Sequence, residues 1–144
     1  VIAVDTNLLV YAHREDSAFF AQASACVTAL AEGRDGWAIP WPCLHEFFAI
    51  VTHARIYVPP TAAARALDQI AAWLESPTLV LLGEGPGYVA HLADIVAAGK
   101  ITGARIHDAR IAAICRYHGV TELWTADRDF SRMAGLVTRN PLLG

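Results

Sequence analysis

Short runs of consecutive apolar residues, separated by stretches of helical spacing, leave this chain few folds to choose from. Val1–Val4 (VIAV) is apolar throughout and ends at Asp5; Trp37–Ile39, Thr78–Leu82 (TLVLL), Glu122–Thr125 (ELWT) and Leu136–Thr138 (LVT) follow as further strands. An apolar run without polar alternation is a strand buried on both faces. Helices are expected from about Ala18 to Ala31, where Gly33 and Gly36 supply stop signals, and from Pro42 to His53. Further helices are expected from Thr61 to Leu74, Pro86 to Ala98 and Ala104 to His118, whereas Thr6 to Ser17 carries no assigned element. Strands alternating with helices predict an α/β chain whose parallel sheet of four or five strands is covered on both sides. In such sheets function gathers beyond the carboxyl ends of the strands.

The chain of 144 residues suits a single domain spanning 1–144. Its 55% apolar and 17% charged residues exclude intrinsic disorder. The most apolar stretch, Gly36 to Val51, is interrupted by Pro40, Pro42, His45 and Glu46 and falls short of a membrane span. No basic and apolar leader opens the sequence, so no signal peptide is expected. Cys26, Cys43 and Cys115 form an odd, scattered set without a CxxC pair, as in reduced thiols of a cytoplasmic protein. A net charge of −3 argues against a passive nucleic-acid binder, but not against an enzyme whose negative charge is gathered in a metal site.

Carboxylates stand where core residues should be. Asp5 closes the first strand and Asp127 follows the fourth by two residues, so parallel, adjacent strands bring both to one rim. An aspartate after a strand also commonly caps the next helix, and that alternative stands for each residue alone. Glu46 lies among Leu44, Phe47, Phe48, Ala49, Ile50 and Val51, on a helix apolar nearly all round and expected to be buried. A carboxylate there is costly unless charge or hydrogen bonds meet it; an arginine partner is the ordinary solution. Asp108 shares its helix face with Ile101, Ala104, Ile111, Ala112 and Cys115, with Arg105 at the edge as a salt-bridge candidate. Four acids in one pocket cannot all stay ionised without a cation. Oxygen donors without His or Cys favour Mg²⁺ or Mn²⁺ over zinc.

Competing motifs fail on inspection. His45-Glu46 begins an HExxH pattern, but position 49 is Ala. Gly83, Gly85 and Gly87 are spaced GxGxG around Pro86, not as a dinucleotide fingerprint. No serine sits in a GxSxG elbow. A phospho-accepting receiver would need adjacent acids after the first strand, where Thr6 and Asn7 stand, and a phospho-aspartate phosphatase would need a second acid at Asn7.

The opening VIAVDTNLLVYA, the acid in HEFFAIVTH, the DARIAAI helix and TADRDF after a strand together resemble a PIN-domain nuclease. More narrowly, they resemble the VapC-like toxins of type II toxin–antitoxin pairs. The resemblance implies a three-layer α/β/α domain and Mg²⁺-dependent endoribonuclease activity, with Mn²⁺ as a substitute. Asp5, Glu46, Asp108 and Asp127 match the family's acidic quartet, Asp129 matches a further acid, and Asn7 and Thr125 match polar positions that brace the pocket. On this reading Asp5 and Asp108 are the direct metal ligands, and Asp127 and Glu46 hold the ion's waters, with Glu46 assisting deprotonation. Arg14, Arg105 and Arg110 are candidates for positioning phosphate. Cleavage of cellular RNA, such as tRNA or rRNA loops, would leave a 5′-phosphate and a 3′-hydroxyl. The alternative is a metal-dependent DNA nuclease on a related fold. The resemblance also implies a homodimer and a VapB-like antitoxin. That partner's flexible segment would place an arginine among the acids and rest its apolar part on Phe47, Phe48 and the helix near Thr61.

Overall fold

The structure, a computed structural model, describes residues 1–120 and 122–143. Five strands form one all-parallel sheet: β1 (Ile2–Val4), β2 (Trp37–Pro40), β3 (Leu79–Leu82), β4 (Glu122–Trp124) and β5 (Val137–Arg139). Their order is β3-β2-β1-β4-β5. The chain therefore moves outward from β1 through β2 to β3, then crosses back to lay β4 on the other side of β1. That reversal makes the carboxyl ends of β1 and β4 the switch point, where such sheets open a crevice.

Among the described residues six α-helices cover the sheet: α1 (Thr6–His13), α2 (Phe20–Glu32), α3 (Trp41–Val51), α4 (Ala63–Leu74), α5 (Tyr88–Gly99) and α6 (Ile106–Tyr117). α1 packs on α2 and α3, α4 packs on α3, and α5 packs on α6, completing the three-layer α/β/α arrangement. Ala3, Val4, Trp37, Ala38, Ile39 and Leu123 are fully buried, as expected for strands covered on both faces. β3 departs from that expectation. It is an edge strand, and Val80 is half exposed. No helix among the described residues is long and apolar enough to cross a membrane.

α1 is the element absent from the sequence reading. Its residues TNLLVYAH carry no polar stripe, and Thr6, Leu8, Leu9 and Val10 are all buried, so amphipathic periodicity gives no signal. Its start is nevertheless encoded: the Asp5 carboxylate accepts a hydrogen bond from the Thr6 backbone N–H at 2.7 Å, an N-cap. α6 begins at Ile106 rather than Ala104, after a short 3-10 turn over Gly103–Arg105, and Ala104 is exposed instead of lying on the core face. α5 begins at Tyr88, because Gly87 takes a left-handed conformation (φ 87°) that holds the chain outside the helix.

Candidate active site

Asp5 leaves β1 at the switch point and is only 3% exposed. Its backbone N–H still bonds to the Trp124 carbonyl at 3.0 Å, locking the end of β1 to the end of β4. Its carboxylate is surrounded by donors. Thr6 N–H and the Cys43 thiol (3.6 Å) reach Oδ1, while the Thr125 hydroxyl (2.8 Å) and the Asn7 amide (3.5 Å) reach Oδ2. These bonds do not offset the loss of water. Burial, reinforced by the charge of Glu46, pushes the Asp5 carboxyl up from 3.8 to about 6.

Asn7 and Thr125 form the brace beneath it. Asn7 Nδ2 also donates to Thr125 Oγ1 at 3.3 Å, and Asn7 Oδ1 accepts from Ala126 N–H at 3.1 Å. Thr125 Oγ1 accepts in turn from Asp127 N–H at 2.9 Å. This network carries the first turn of α1 across to the segment after β4 and sets the position of Asp127.

Asp127 caps the short 3-10 helix Arg128–Arg132, its Oδ1 accepting from Asp129 N–H at 2.9 Å. The ordinary capping role foreseen for Asp5 and Asp127 is thus real for both. It coexists with a second arrangement: oxygens of Asp108, Asp127 and Asp129 all lie within 4.8 Å of one another. Asp108, half-buried in the first turn of α6, is raised by burial and then by the charges of Asp127, Glu46 and Asp129. Arg105 attracts it only from a distance. The described ion pairs are Arg14–Asp16, Arg110–Glu84 and Arg116–Asp94, and none includes Asp5, Glu46 or Asp108.

Glu46 is half-buried rather than enclosed, because α3 also exposes Trp41, His45 and Ala49. Its partner is not an arginine. The Thr6 hydroxyl donates to Oε2 at 2.8 Å, and the Glu46 charge is felt by both Asp5 and Asp108. All five acids singled out in the sequence thus meet around the β1–β4 switch point, with Asp108, Asp127 and Asp129 as the tight set and Asp5 and Glu46 joined through Thr6. Thr6 and Cys43 were missed. Both lie beside a singled-out acid, in the sequence for Thr6 and only in space for Cys43.

Two of the arginine candidates are engaged elsewhere. Arg14 forms a fork with Asp16, donates to the Pro59 carbonyl and Thr61, and lies 4.3 Å above the Tyr57 ring, beyond the far end of α1. Arg110 is paired with Glu84 in the loop after β3. Phe47, expected to present an apolar surface, is fully buried against Trp73 and His13. Phe48 instead lines an apolar groove between α3 and α4 with Trp41, Leu44, Leu67 and Ile70.

Three half-exposed or exposed carboxylates in mutual reach, with no imidazole or thiolate among them, are a hard oxygen donor set and fit a divalent cation of the Mg²⁺ or Mn²⁺ kind.

Known proteins resemble this chain. The sequence model of the PIN domain matches residues 2–136. Ribonuclease VapC43 of Mycobacterium tuberculosis is 31% identical over 144 residues, covering 100% of this chain and 97% of the relative. Ribonuclease VapC48 of the same species is 28% identical over 140 residues, 97% of each chain. Among solved structures, VapBC2 from Rickettsia felis bound to a promoter DNA fragment aligns with a TM-score of 0.71 at 17% identity, over 96% of this chain and 97% of that one. The sarcin-ricin loop cleaving toxin VapC20 of M. tuberculosis aligns at 0.68 and 18%, over 95% and 97%. The chain belongs to the PIN-domain family, within its VapC branch.

Proposed function

We propose that this chain is a Mg²⁺-dependent endoribonuclease toxin, active in the cytoplasm and restrained by a VapB-like antitoxin. The observation that carries the chemistry is the convergence of Asp108, Asp127 and Asp129 within 4.8 Å at the switch point of the sheet, beside the buried Asp5. Relatives named as ribonucleases along the full chain support RNA as the substrate.

In this reading Asp108 and Asp127 would hold the ion and Asp129 would complete the oxygen set, whereas Asp5, expected as a direct ligand, has donors on both oxygens and would add buried negative charge beside them. A bound divalent cation supplies charge neutralisation at the phosphate and makes a water easier to deprotonate near neutral pH. Glu46, fixed at Oε2 by Thr6, would have Oε1 to accept a proton from an attacking water. Asn7 and Thr125 tie Asp5 to the Asp127 backbone through shared hydrogen bonds, which would pre-position the acids for substrate.

The groove of about 330 Å³ between α3 and α4 offers the apolar surface an antitoxin segment needs, while the acids offer a site for its arginine. A homodimer completes the proposal. Purified protein incubated with total RNA, with Mg²⁺ and with excess chelator, tests it. New 5′-phosphate ends appearing only with the metal are expected, and cleavage that survives full chelation refutes the mechanism.

A further inference from the structure

Arg105 stands three residues before Asp108, at the end of the 3-10 turn that leads into α6. Its backbone is already helical (φ −64°, ψ −13°), so the two side chains are neighbours on one helical surface. The candidate salt bridge between them nevertheless does not form. Arg105 is half-buried and its charge is felt at Asp108, yet the described ion pairs leave it out. Its side chain also makes no hydrogen bond among the described residues.

The stability of α6 gives no reason for an arginine at this place. The first turn of a helix is the positive end of its dipole, where a cation is unfavourable. A basic residue followed by an acidic one is also the weaker order for a helical pair. A residue set against local preference beside a functional site is expected to serve that site. Arg14, Arg110 and Arg116 are held in ion pairs, and Arg34 precedes β2 on the opposite rim of the sheet.

We propose that Arg105 binds a backbone phosphate of the RNA beside the acid cluster, giving the substrate a fixed cation next to the divalent ion. The proposal rests on the ribonuclease reading and adds to it a substrate-binding residue. Acids gathered at one rim repel a polyanion, and a guanidinium forks onto phosphate through two parallel hydrogen bonds. Keeping the guanidinium off Asp108 leaves both groups available, the carboxylate for the ion and the arginine for the substrate.

The test uses a labelled fragment of cellular RNA that spans a wild-type cut site. Cleavage is followed over a range of KCl and of Mg²⁺ for wild type, Arg105→Gln, Arg105→Lys and Arg116→Gln. Arg105→Gln is expected to lower kcat/KM by about 10- to 100-fold, the scale of hydrogen bonds to a charged group. It should also flatten the slope of log(kcat/KM) against log[KCl] by about 0.7, the value for one phosphate contact on a single strand. Arg105→Lys keeps the charge without the fork, so it restores the slope and part of the rate, and it carries the test if Arg105→Gln melts far below wild type. Arg116→Gln removes the same charge from the last turn of α6 and leaves both measures near wild type. A slope unchanged in Arg105→Gln, or flattened equally by Arg116→Gln, overturns the phosphate contact alone. So does a change confined to the Mg²⁺ requirement, which means that Arg105 acts on Asp108. Wild type that leaves total RNA intact, and so yields no fragment to study, overturns the ribonuclease reading and the contact with it.

Discussion

Replacing Asp5 by Asn should make the metal-free protein more stable at pH 8 and less stable at pH 4. The folded protein holds the Asp5 proton up to about pH 6, whereas the unfolded chain releases it near 3.8. Between those values the folded state binds more protons, so stability falls as pH rises through that window and then levels off. At 1.36 kcal/mol for each tenfold change in acidity, ionising Asp5 in the fold costs about 3 kcal/mol by pH 8. Asn escapes that cost but turns an amino group toward the Thr125 hydroxyl, which donates to Asp5 at 2.8 Å in the native protein. Losing that bond costs about 1 to 1.5 kcal/mol. The variant should therefore gain about 1.5 to 2 kcal/mol at pH 8, roughly 3 to 8 °C for a chain of this size. It should be about 1 kcal/mol worse at pH 4, with the curves crossing between about pH 4.5 and 5. Urea titrations in chelator at half-unit steps from pH 4 to 8 measure the difference. A gap that does not vary with pH, or a variant weaker than wild type at pH 8, refutes the argument that burial makes Asp5 costly to ionise.

Divalent metal should repay the repulsion among the acids. At Mg²⁺ a hundredfold above its dissociation constant the native state gains about 2.7 kcal/mol, read as a rise of roughly 5 to 10 °C in Tm that Asp108→Asn largely abolishes. Thr6→Val keeps the shape of the side chain but releases Glu46, and RNA cleavage should fall by about 10- to 100-fold, the usual cost of losing such an outer partner, with a melting curve close to wild type. Phe47→Ala should cost about 3 to 5 kcal/mol of stability in urea, because a fully buried ring against Trp73 leaves a cavity. Arg110→Ala should change stability by less than about 1 kcal/mol, since its pair with Glu84 is solvent-exposed.

What the sequence revealed and what it concealed follow from the same physics. Unbroken apolar runs located β1 and β2 because strands covered on both faces have no polar alternation to confuse them. The edge strand β3 was read as buried because its residues are just as apolar; neighbour count, not composition, exposes Val80. α1 escaped because a short helix buried along most of its length has no amphipathic signature. The acids were legible as carboxylates out of place and their meeting in one pocket was expected, but which of them lie in closest reach was not. Asp129 joins Asp108 and Asp127 only because Asp127 caps the turn that carries it. The hold of Thr6 on Glu46 spans forty positions of sequence, and the burial of Phe47 follows from Trp73 of α4 packing against it, while Phe48 lines the open groove between the two helices.

The central claim, that the acids at the β1–β4 switch point hold a divalent ion that enables RNA cleavage, is tested most directly by one titration. Single-turnover cleavage of one RNA is followed against Mg²⁺ concentration for wild type, Asp108→Asn and Asp127→Asn. Wild type should show saturable dependence on the ion and no activity in chelator. Each variant should lose at least about a hundredfold in rate, the scale of removing one charge-stabilising group, while keeping its fold. Cleavage by wild type without metal, or variants that cut at the wild-type rate with the wild-type metal dependence, would contradict the account.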